Sequence, residues 1–435
     1  MRLLKTSPTG CPRLPISYDV GTSQAKPKKL TKGNEREDSM TIDRVSRRTF
    51  LSGTAGALAA GTLGHDAVAQ MAMPKSPVAI NLVDVGGALA LVQKPIENFR
   101  AAKPELVSRI TFTKAPAPEL PGKLKAQQDA GRVDIDFVLG GLDIVSAGNE
   151  QKLWVELLPK YGDILPKPEQ IYLKGALDMH ALGNGGAMCM VYYPSGPLIE
   201  YAPEKVKTPP TTAEELLAWA KANPNKFLYA RPANSGPGRT FLMGLPYILG
   251  DSAPKDPEKG WDKTWAYLKE LGQYIEYYPT GTGLTMKELG DGTRDIIVST
   301  TGWDINPRVL GIVPKSAEVG RLKGFHWVSD AQYMAIPKGV ADEKLSVLLE
   351  LIKWVLRPDQ QAFTYDEGYF YPGPAVKDVP LSTAPASSQA ALKEYGRPQY
   401  EEWIGSAPIE TPLDNDKMVS AFKRWDQEIG ASKTK

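Results

Sequence analysis

Cysteine and histidine are scarce in this chain of 435 residues, which contains 2 cysteines and 3 histidines. A disulfide framework needs more cysteines than this. No Cys-x-x-Cys or His-x-x-x-His pair is present, so the sequence lacks the usual patterns of a zinc site. Beyond residue 70 no run of 18 uncharged apolar residues occurs, and we expect no membrane span there. We therefore expect neither a metal nor another cofactor.

An excess of one charge sign is also missing, since 52 basic residues face 50 acidic ones. The basic surplus lies in the first 70 residues, and the remainder of the chain is slightly acidic. A near-neutral body argues against a nucleic-acid partner or an anionic membrane surface. The hydrophobic share of 42% is typical of globular proteins, and 40 glycines with 37 prolines predict many loops.

The N-terminal segment has the layout of an export signal. Residues 1–39 are polar and without apolar periodicity, which predicts a disordered or non-native extension. Residues 40–69 contain Ser46-Arg47-Arg48-Thr49-Phe50-Leu51, an uncharged small-residue stretch, and then Ala67-Val68-Ala69. This order resembles a bacterial twin-arginine (Tat) signal peptide with cleavage before Gln70. The resemblance implies a mature protein in the periplasm.

Strands and helices alternate in the region after residue 75. Apolar runs predict strands at 78–83, 110–113 and 135–139, and helices are predicted at 93–102 and 120–130. Such alternation favours βαβ units with a parallel sheet. Ligands of these sheets bind beyond the carboxyl ends of the strands, which directs attention to the segments 84–87 and 140–143.

A second α/β region follows an apolar strand predicted at 187–193. Its further strands and helices show the same alternation, and a final amphipathic helix is predicted near the C-terminus. The predicted strands are 227–230, 296–300 and 332–336, and the predicted helices are 213–222, 240–249, 261–271, 343–356 and 413–429.

Several segments, in this order, resemble the extracellular solute-binding proteins of ABC importers, specifically their polyamine-binding-like branch. They are Asp84-Val85-Gly86-Gly87, the segment 289–295 with the strand and Trp303 after it, and the segment 325–339 with the helix after it. The resemblance implies an α/β, two-lobed periplasmic-binding-protein fold of type II, with the ligand cleft between lobes joined by crossing strands. Residues 75–190 with 330–375 would form lobe 1, and 191–329 with 376–435 would form lobe 2.

The same resemblance implies a clamp for a cationic ligand, made of a tryptophan and an acid at two places. Trp303 with Asp304 and Trp327 with Asp330 match those places. An aromatic face attracts an ammonium group and a carboxylate neutralises it. Packing in the core is the competing interpretation for both tryptophans. Further candidates at strand ends are Asp84, Gly86, Asp143 and Tyr193.

A glycine-rich turn offers a site for an anionic group. In Ala233-Asn-Ser-Gly-Pro-Gly-Arg-Thr240 the hydroxyls of Ser235 and Thr240, the backbone at Gly238 and the guanidinium of Arg239 could hold a carboxylate. Ordinary helix capping is the competing interpretation. This turn departs from the acidic residues expected in a polyamine site, so a ligand with both ammonium and carboxylate groups enters consideration.

The function predicted from these residues is capture of a small polar organic solute, polyamine-like or carrying ammonium and carboxylate groups, by hinge closure. The partners would be the solute and the membrane permease of an ABC importer, and the protein is expected to be a monomer and not an enzyme. The alternatives are a secreted Tat-exported enzyme on the same fold, or a receptor for ferric ion or thiamine. Tyr192-Tyr193 and Tyr277-Tyr278 are the residues that invite the ferric comparison.

Overall fold

The computed structural model describes residues 73–116, 119–431 and 433. The predicted extension 1–39, the predicted Tat signal 40–69 and its cleavage before Gln70 lie outside the described residues. None of the helices within the described ranges is both long and apolar enough to cross a membrane.

Eleven β-strands are found in the described ranges, and most of their residues are buried. They are β1 (Val78–Asp84), β2 (Val107–Lys114), β3 (Phe137–Gly141), β4 (Ala187–Gly196), β5 (Leu198–Tyr201), β6 (Phe227–Leu228), β7 (Ile296–Ser299), β8 (Glu318–Gly320), β9 (Trp327–Ala335), β10 (Gly373–Pro374) and β11 (Ile409–Glu410).

Sixteen α-helices connect and cover these strands in the described ranges. They are α1 (Leu89–Ala102), α2 (Leu120–Asp129), α3 (Leu142–Glu150), α4 (Leu157–Tyr161), α5 (Pro168–Ile171), α6 (Lys174–Ala181), α7 (Ala213–Ala222), α8 (Gly236–Ile248), α9 (Asp262–Gly272), α10 (Thr282–Gly290), α11 (Thr301–Val309), α12 (Asp342–Val355), α13 (Pro358–Gln361), α14 (Ala386–Tyr395), α15 (Gln399–Ser406) and α16 (Asn415–Trp425).

The strands form two sheets. The first has the order β10-β4-β9-β3-β1-β2, with β11 paired to the start of β9, and the second has the order β6-β7-β5-β8. In the first sheet β1 pairs in parallel with β2 and β3, while β9 runs antiparallel to β3 and β4. The parallel βαβ units predicted for the first hundred residues after residue 75 are thereby confirmed.

The chain crosses between the sheets more than once. It leaves the first sheet at Gly196, enters the second at Leu198, and returns between Gly320 and Trp327. The segment after β10 packs α14 against α11 and then returns to the first sheet through β11. Strands β4 and β9 are buried along their whole length, because they lie in the middle of the sheet.

Local signals account for several helix ends. The hydroxyl of Thr212 accepts a hydrogen bond from the backbone N–H of Glu215 and caps α7. Helix α12 buries one apolar face and ends just before Arg357-Pro358. Helix α8 begins at Gly236 rather than at residue 240, because Ser235 accepts from the N–H of Gly238 and starts the helix one turn earlier.

Other predicted elements differ from the structure. Strand β9 begins at Trp327 rather than at residue 332, because pairing with β4 and β11 extends it. The sequence also suggests a strand or strand end at Tyr277-Tyr278, but both residues lie in a loop. The four helices between β3 and β4 were not predicted, because most are short and weakly periodic.

Candidate functional site

A cavity of about 380 Å³ lies where the ends of strands from the first sheet face the helices of the second. The first-sheet side contributes the loops after β1, β2 and β3 together with side chains of β4 and β9. The opposite side contributes the first turns of α8, α10 and α11. The lining residues are Val85, Gly86, Ala115, Pro116, Gly141, Asp143, Tyr193, Asn234, Ser235, Gly236, Arg239, Thr280, Thr282, Trp303, Asp330, Gln332 and Phe370.

The structure brings seven of the twelve predicted site residues to this cavity. They come from six separate segments of the chain, which the crossings between the sheets place side by side. The seven are Gly86, Asp143, Tyr193, Ser235, Arg239, Trp303 and Asp330. Gly86 has a φ of +78°, so the turn that follows β1 needs a residue without a Cβ.

The carboxylate of Asp330 is held firmly at the cavity wall. Its Oδ2 accepts a hydrogen bond from Arg239 Nη2 at 2.6 Å and another from the hydroxyl of Tyr193 at 3.0 Å. Its Oδ1 accepts from the backbone N–H of Ala331 at 2.9 Å. This network ties β9, β4 and α8 together, so it joins the first sheet to the helix that follows β6. The carboxylate is therefore fixed in place before any ligand arrives.

Asp143 is the second carboxylate of the cavity and stands in the first turn of α3. Burial raises its pKa, the nearby Arg239 lowers it, and the like charge of Asp330 raises it, with a net upward shift. Burial lowers the pKa of the Arg239 guanidinium, but the negative charges of Asp330 and Asp143 outweigh this effect and raise the pKa overall. Two acids thus share one arginine in this part of the cavity.

Gln332 adds a further hydrogen-bond acceptor that the sequence reasoning missed. Its side chain is buried, lines the cavity, and has an Oε1 atom without a hydrogen-bond partner among the described residues. It follows Asp330 by two residues on β9, so both side chains project from the same face of the strand. That spacing was the signal by which the sequence could have identified it. A buried acceptor of this kind favours a ligand with N–H donors.

Another part of the cavity wall carries hydroxyls and helix N-termini, and its α8 portion lies beside Asp330, which Arg239 of that helix contacts. Ser235 Oγ lies 2.7 Å from Thr282 Oγ1, and Ser235 caps α8 through the N–H of Gly238. Helix N-termini carry partial positive charge and attract anionic groups. The first turns of α8, α10 and α11 all reach the cavity, so this wall suits a carboxylate or a hydroxyl. Thr280, Thr282 and Asn234 were not predicted; their only signal was the glycine-rich context.

Aromatic rings close one side of the cavity. Tyr193 stacks on Phe370 with ring centroids 4.9 Å apart, and Phe370 stacks on Tyr369 at 4.0 Å. Trp303 meets Tyr369 edge to face at 5.5 Å and remains partly exposed toward the cavity. Such a surface attracts cations and planar groups. The segment 365–372 is rich in aromatic residues, but nothing in its sequence singles out Phe370.

Asp304 is not among the residues that line the cavity. It is fully buried in α11 and accepts hydrogen bonds from Arg308, Arg397 and Tyr400. The i, i+4 spacing of Asp304 and Arg308 on one helix was a sequence signal for an internal pair. The contacts with Arg397 and Tyr400 come from nearly a hundred residues away and could not be foreseen.

Four other predicted residues also lie outside the cavity lining. Trp327 is fully buried and donates from Nε1 to the backbone oxygen of Trp403 at 3.0 Å. Asp84 Oδ1 accepts from the N–H of Leu89 at the start of α1, at 3.0 Å. Thr240 donates to the backbone oxygen of Pro237, and Gly238 lies so close to Ala230 that a Cβ would come within 2.1 Å of its carbonyl oxygen. These residues shape the cavity without lining it.

The tyrosine pairs do not converge at the cavity. The structure places the hydroxyl of Tyr192 near Ser329 and that of Tyr277 on Glu288, and Tyr278 packs against Tyr229. Among the four, Tyr193 lines the cavity. Burial, and after it the negative charge of Asp330, raise the pKa of Tyr193 well above its usual value.

Solved structures similar to this chain include a substrate-binding protein of an ABC transporter and periplasmic binding proteins. PotD, from a spermidine/putrescine ABC transporter of Streptococcus pneumoniae, has a TM-score of 0.56 at 14% identity, covering 80% of this chain and 99% of that chain. AfuA from Actinobacillus pleuropneumoniae, bound to exogenous fructose-6-phosphate, has a TM-score of 0.59 at 14% identity, covering 81% and 98%. A periplasmic thiamin-binding protein has a TM-score of 0.57 at 14% identity, covering 84% and 100%.

At these identities the likeness shows the fold, which is the predicted two-lobed α/β fold of type II periplasmic binding proteins. A search of curated proteins finds no match. The profile of the bacterial extracellular solute-binding protein family matches residues 96–394, well over half of the chain, and the protein therefore belongs to this family.

Proposed function

We propose that this protein captures a small organic solute with an ammonium group in the cavity, closes its lobes around it, and delivers it to the membrane permease of an ABC importer. The solute is a polyamine-like molecule or one that carries both ammonium and carboxylate groups. The observation that carries the proposal is the local shortage of positive charge. Among the described residues, Asp143, Asp330 and Gln332 Oε1, which has no hydrogen-bond partner there, face the cavity around one guanidinium, that of Arg239.

A cationic group completes this arrangement. An ammonium placed near Asp143 would replace the water lost on burial and balance the second carboxylate. Its N–H groups could reach Gln332, and the face of Trp303 would add a cation–π contact of about 0.5–2 kcal/mol. A carboxylate at the other end of the solute would meet Ser235, Thr282 and the N-terminus of α8.

Hinge closure is supported by the two sheets and the chain crossings between them. We propose residues 75–190 with 330–375 as lobe 1 and residues 191–329 with 376–435 as lobe 2. The crossing between Gly196 and Leu198 and the one between Gly320 and Trp327 would act as hinge segments. A ligand held by both lobes favours the closed state, because it makes its full set of contacts only there.

Membership in an extracellular family implies work outside the cytoplasm. Export by the Tat route with cleavage before Gln70, a periplasmic location and a monomeric state complete the proposal. The permease is the expected macromolecular partner, and turnover of the solute is not part of the proposed role.

A receptor for thiamine, an aromatic cation, is the second candidate. The stacked rings of Tyr193 and Phe370, beside Trp303, favour a planar cationic ligand over a flexible one. The same acidic residues would serve both candidates, so the choice between them depends on ring stacking.

A thermal-shift panel with purified protein tests the proposal. The ligands are putrescine, spermidine, 4-aminobutyrate, thiamine, glutarate, fructose 6-phosphate and ferric citrate. A ligand that binds only the native state stabilises it by RT ln(1 + [L]/Kd), about 2.7 kcal/mol at a hundredfold excess over Kd. We expect shifts with the ammonium-bearing compounds or with thiamine.

Two variants make the panel specific to the cavity. Asp143→Asn removes the unbalanced carboxylate and should abolish most of the shift, whereas Asp129→Asn, an exposed residue of α2, should leave it unchanged. Stabilisation by glutarate, fructose 6-phosphate or ferric citrate alone would contradict a cationic solute.

A further inference from the structure

A second cavity of about 290 Å³ adjoins the ligand cavity along helix α3. Asp143 and Asn234 line both cavities, so the two spaces meet at these residues. From Asp143 the second cavity follows α3 past Ser146 and Ala147 to Glu150. Seven residues of helix span about 10 Å, which is the length of this extension.

The wall opposite α3 is apolar and belongs to α16. Met418, Val419 and Phe422 lie on one face of that helix at i, i+1 and i+4 spacing and line the cavity. Val419 is 58% exposed although it is a large aliphatic residue. Ala147 faces this wall across the cavity. The α3 side of the space is more polar, with Ser146, Glu150 and Gln151, so an apolar group would lie against the face of α16.

Helix α16 is anchored at its C-terminal end, so its cavity face has a fixed position. Trp425 is buried, donates from Nε1 to the hydroxyl of Tyr229 at 3.1 Å, and meets Tyr278 edge to face at 4.9 Å. Arg231 pairs with Asp426 at 2.9 Å directly after the helix. At the other end, Asp414 caps the helix through the N–H of Lys417. The wall is thus held on the second-sheet side while it faces α3 of the first sheet.

We infer that the solute of this protein has two parts: a charged head in the main cavity and an apolar arm that passes Asp143 and enters the cavity between α3 and α16. The occupant is the same molecule, because the two spaces share Asp143 and Asn234. The substrate class is therefore an amphiphilic amine, with a hydrocarbon or aromatic arm of about 10 Å or less. The identity of the head rests on the proposed function; the existence of the arm rests on the second cavity.

Titration calorimetry with two homologous series tests the arm separately from the head. The probes are the n-alkylamines from ethylamine to octylamine and the n-alkylcarboxylates from acetate to octanoate. Burial of each methylene contributes about 0.8 kcal/mol, so the association constant of the amines should rise about fourfold per methylene until the cavity is full.

Cavity variants locate the effect. Ala147→Phe fills the space from α3, and Val419→Asp makes its wall charged at an exposed position that does not affect folding of the core. Each should flatten the chain-length dependence and leave the affinity for ethylamine within about twofold of the unchanged protein. Ala101→Phe, on the exposed face of α1, is the matched control and should keep the full dependence.

The outcomes separate the two ideas. A chain-length gain that Ala147→Phe and Val419→Asp remove supports the arm. Amines that bind equally at every length overturn the arm and leave the ammonium head standing. A gain seen with the carboxylates alone supports the arm and overturns the cationic head. Failure of both series to bind at any length overturns both.

Discussion

Asp330 and Asp304 stand in similar chemical surroundings but have opposite relations to solvent. Each carboxylate pairs with arginine, and each accepts a hydrogen bond from a tyrosine: Tyr193 in one case and Tyr400 in the other. Asp330 lies at the wall of a cavity, whereas Asp304 is completely enclosed. The two carboxylates differ in whether empty space remains beside them.

Asp304 has a full set of partners. Arg397 binds both of its oxygens, at 2.9 and 3.0 Å, and Arg308 adds contacts at 3.1 and 3.3 Å. A second acid, Glu200, lies nearby, and burial together with the charge of Asp304 raises its pKa to about 8. Glu200 is therefore mostly protonated at neutral pH. The two arginines face two carboxylates, because Arg397 also pairs with Glu318 at 3.0 Å.

The cavity cluster lacks this balance, since two carboxylates lie around one arginine. A buried group of charges is stable when its charges are compensated internally, as around Asp304. When compensation is incomplete and empty space adjoins, a ligand can supply the missing charge. A carboxylate with arginine and tyrosine partners therefore does not by itself indicate a binding site. An uncompensated charge beside a cavity does.

The largest effect should follow from breaking the enclosed cluster. Asp304→Asn leaves Arg308 and Arg397 without their carboxylate, and loss of one partner of a buried pair costs about 3–5 kcal/mol of unfolding free energy. Urea unfolding measures this loss, with the exposed Asp359→Asn as a control that changes stability by about 1 kcal/mol or less. A stable Asp304→Asn protein that no longer binds solute would reverse the comparison.

Replacement of Glu200, the second acid of the enclosed cluster, tests the comparison through the pH dependence of stability. The pKa of Glu200 is raised from 4.5 to about 8 in the folded chain. At pH values between these two, the native state therefore binds more protons than the unfolded state. The contribution of Glu200 to the stability of the unchanged protein therefore falls as pH rises from about 5 to about 8. Glu200→Gln removes this decline.

Because one pKa unit corresponds to about 1.4 kcal/mol, the stability advantage of Glu200→Gln should grow to about 2 kcal/mol or more and level off above pH 8. Unfolding midpoints measured across this pH range check the prediction. Parallel stability curves for the two proteins would show that Glu200 is already ionised in the folded chain.

The two tryptophans provide the same contrast between cavity and interior. Trp303→Ala removes a partly exposed ring of the cavity and should weaken binding of an ammonium solute more than tenfold, about 1.4 kcal/mol, with little loss of stability. Trp327→Phe removes the hydrogen bond to Trp403 and should lower stability while affinity stays unchanged. Calorimetric affinity and thermal unfolding of both variants test the pair; an unchanged affinity in Trp303→Ala removes that ring from the site.

The smallest effect is the pH dependence of affinity. The pKa of Asp143 is raised in the free protein by burial, and a bound cation favours its ionised form. Affinity for an amine should therefore rise severalfold as pH increases through this raised pKa, and then level off. Titrations below about pH 8 keep the amine protonated. Asp143→Asn should remove the dependence, and an affinity that falls with rising pH would contradict the assignment.

The sequence alone determined the fold class and many of its parts. Alternating apolar runs specified β1, β2, β3 and the helices between them, because hydrophobic periodicity reflects local burial directly. The order of segments such as Asp84–Gly87 and 325–339 identified the family. The strand-end rule directed attention to Gly86 and Asp143, both of which line the cavity.

Only the tertiary structure decided which candidate side chains share the cavity. Trp303 and Asp304 are adjacent in sequence, yet they point in different directions from the first turn of α11, one to the cavity and one to the interior. Asp304 is enclosed because Arg397 and Tyr400 arrive from the C-terminal segment, and Asp330 meets Arg239 because the chain crosses between the sheets. Contacts between residues this far apart depend on how the elements pack, and no local pattern in the sequence encodes them.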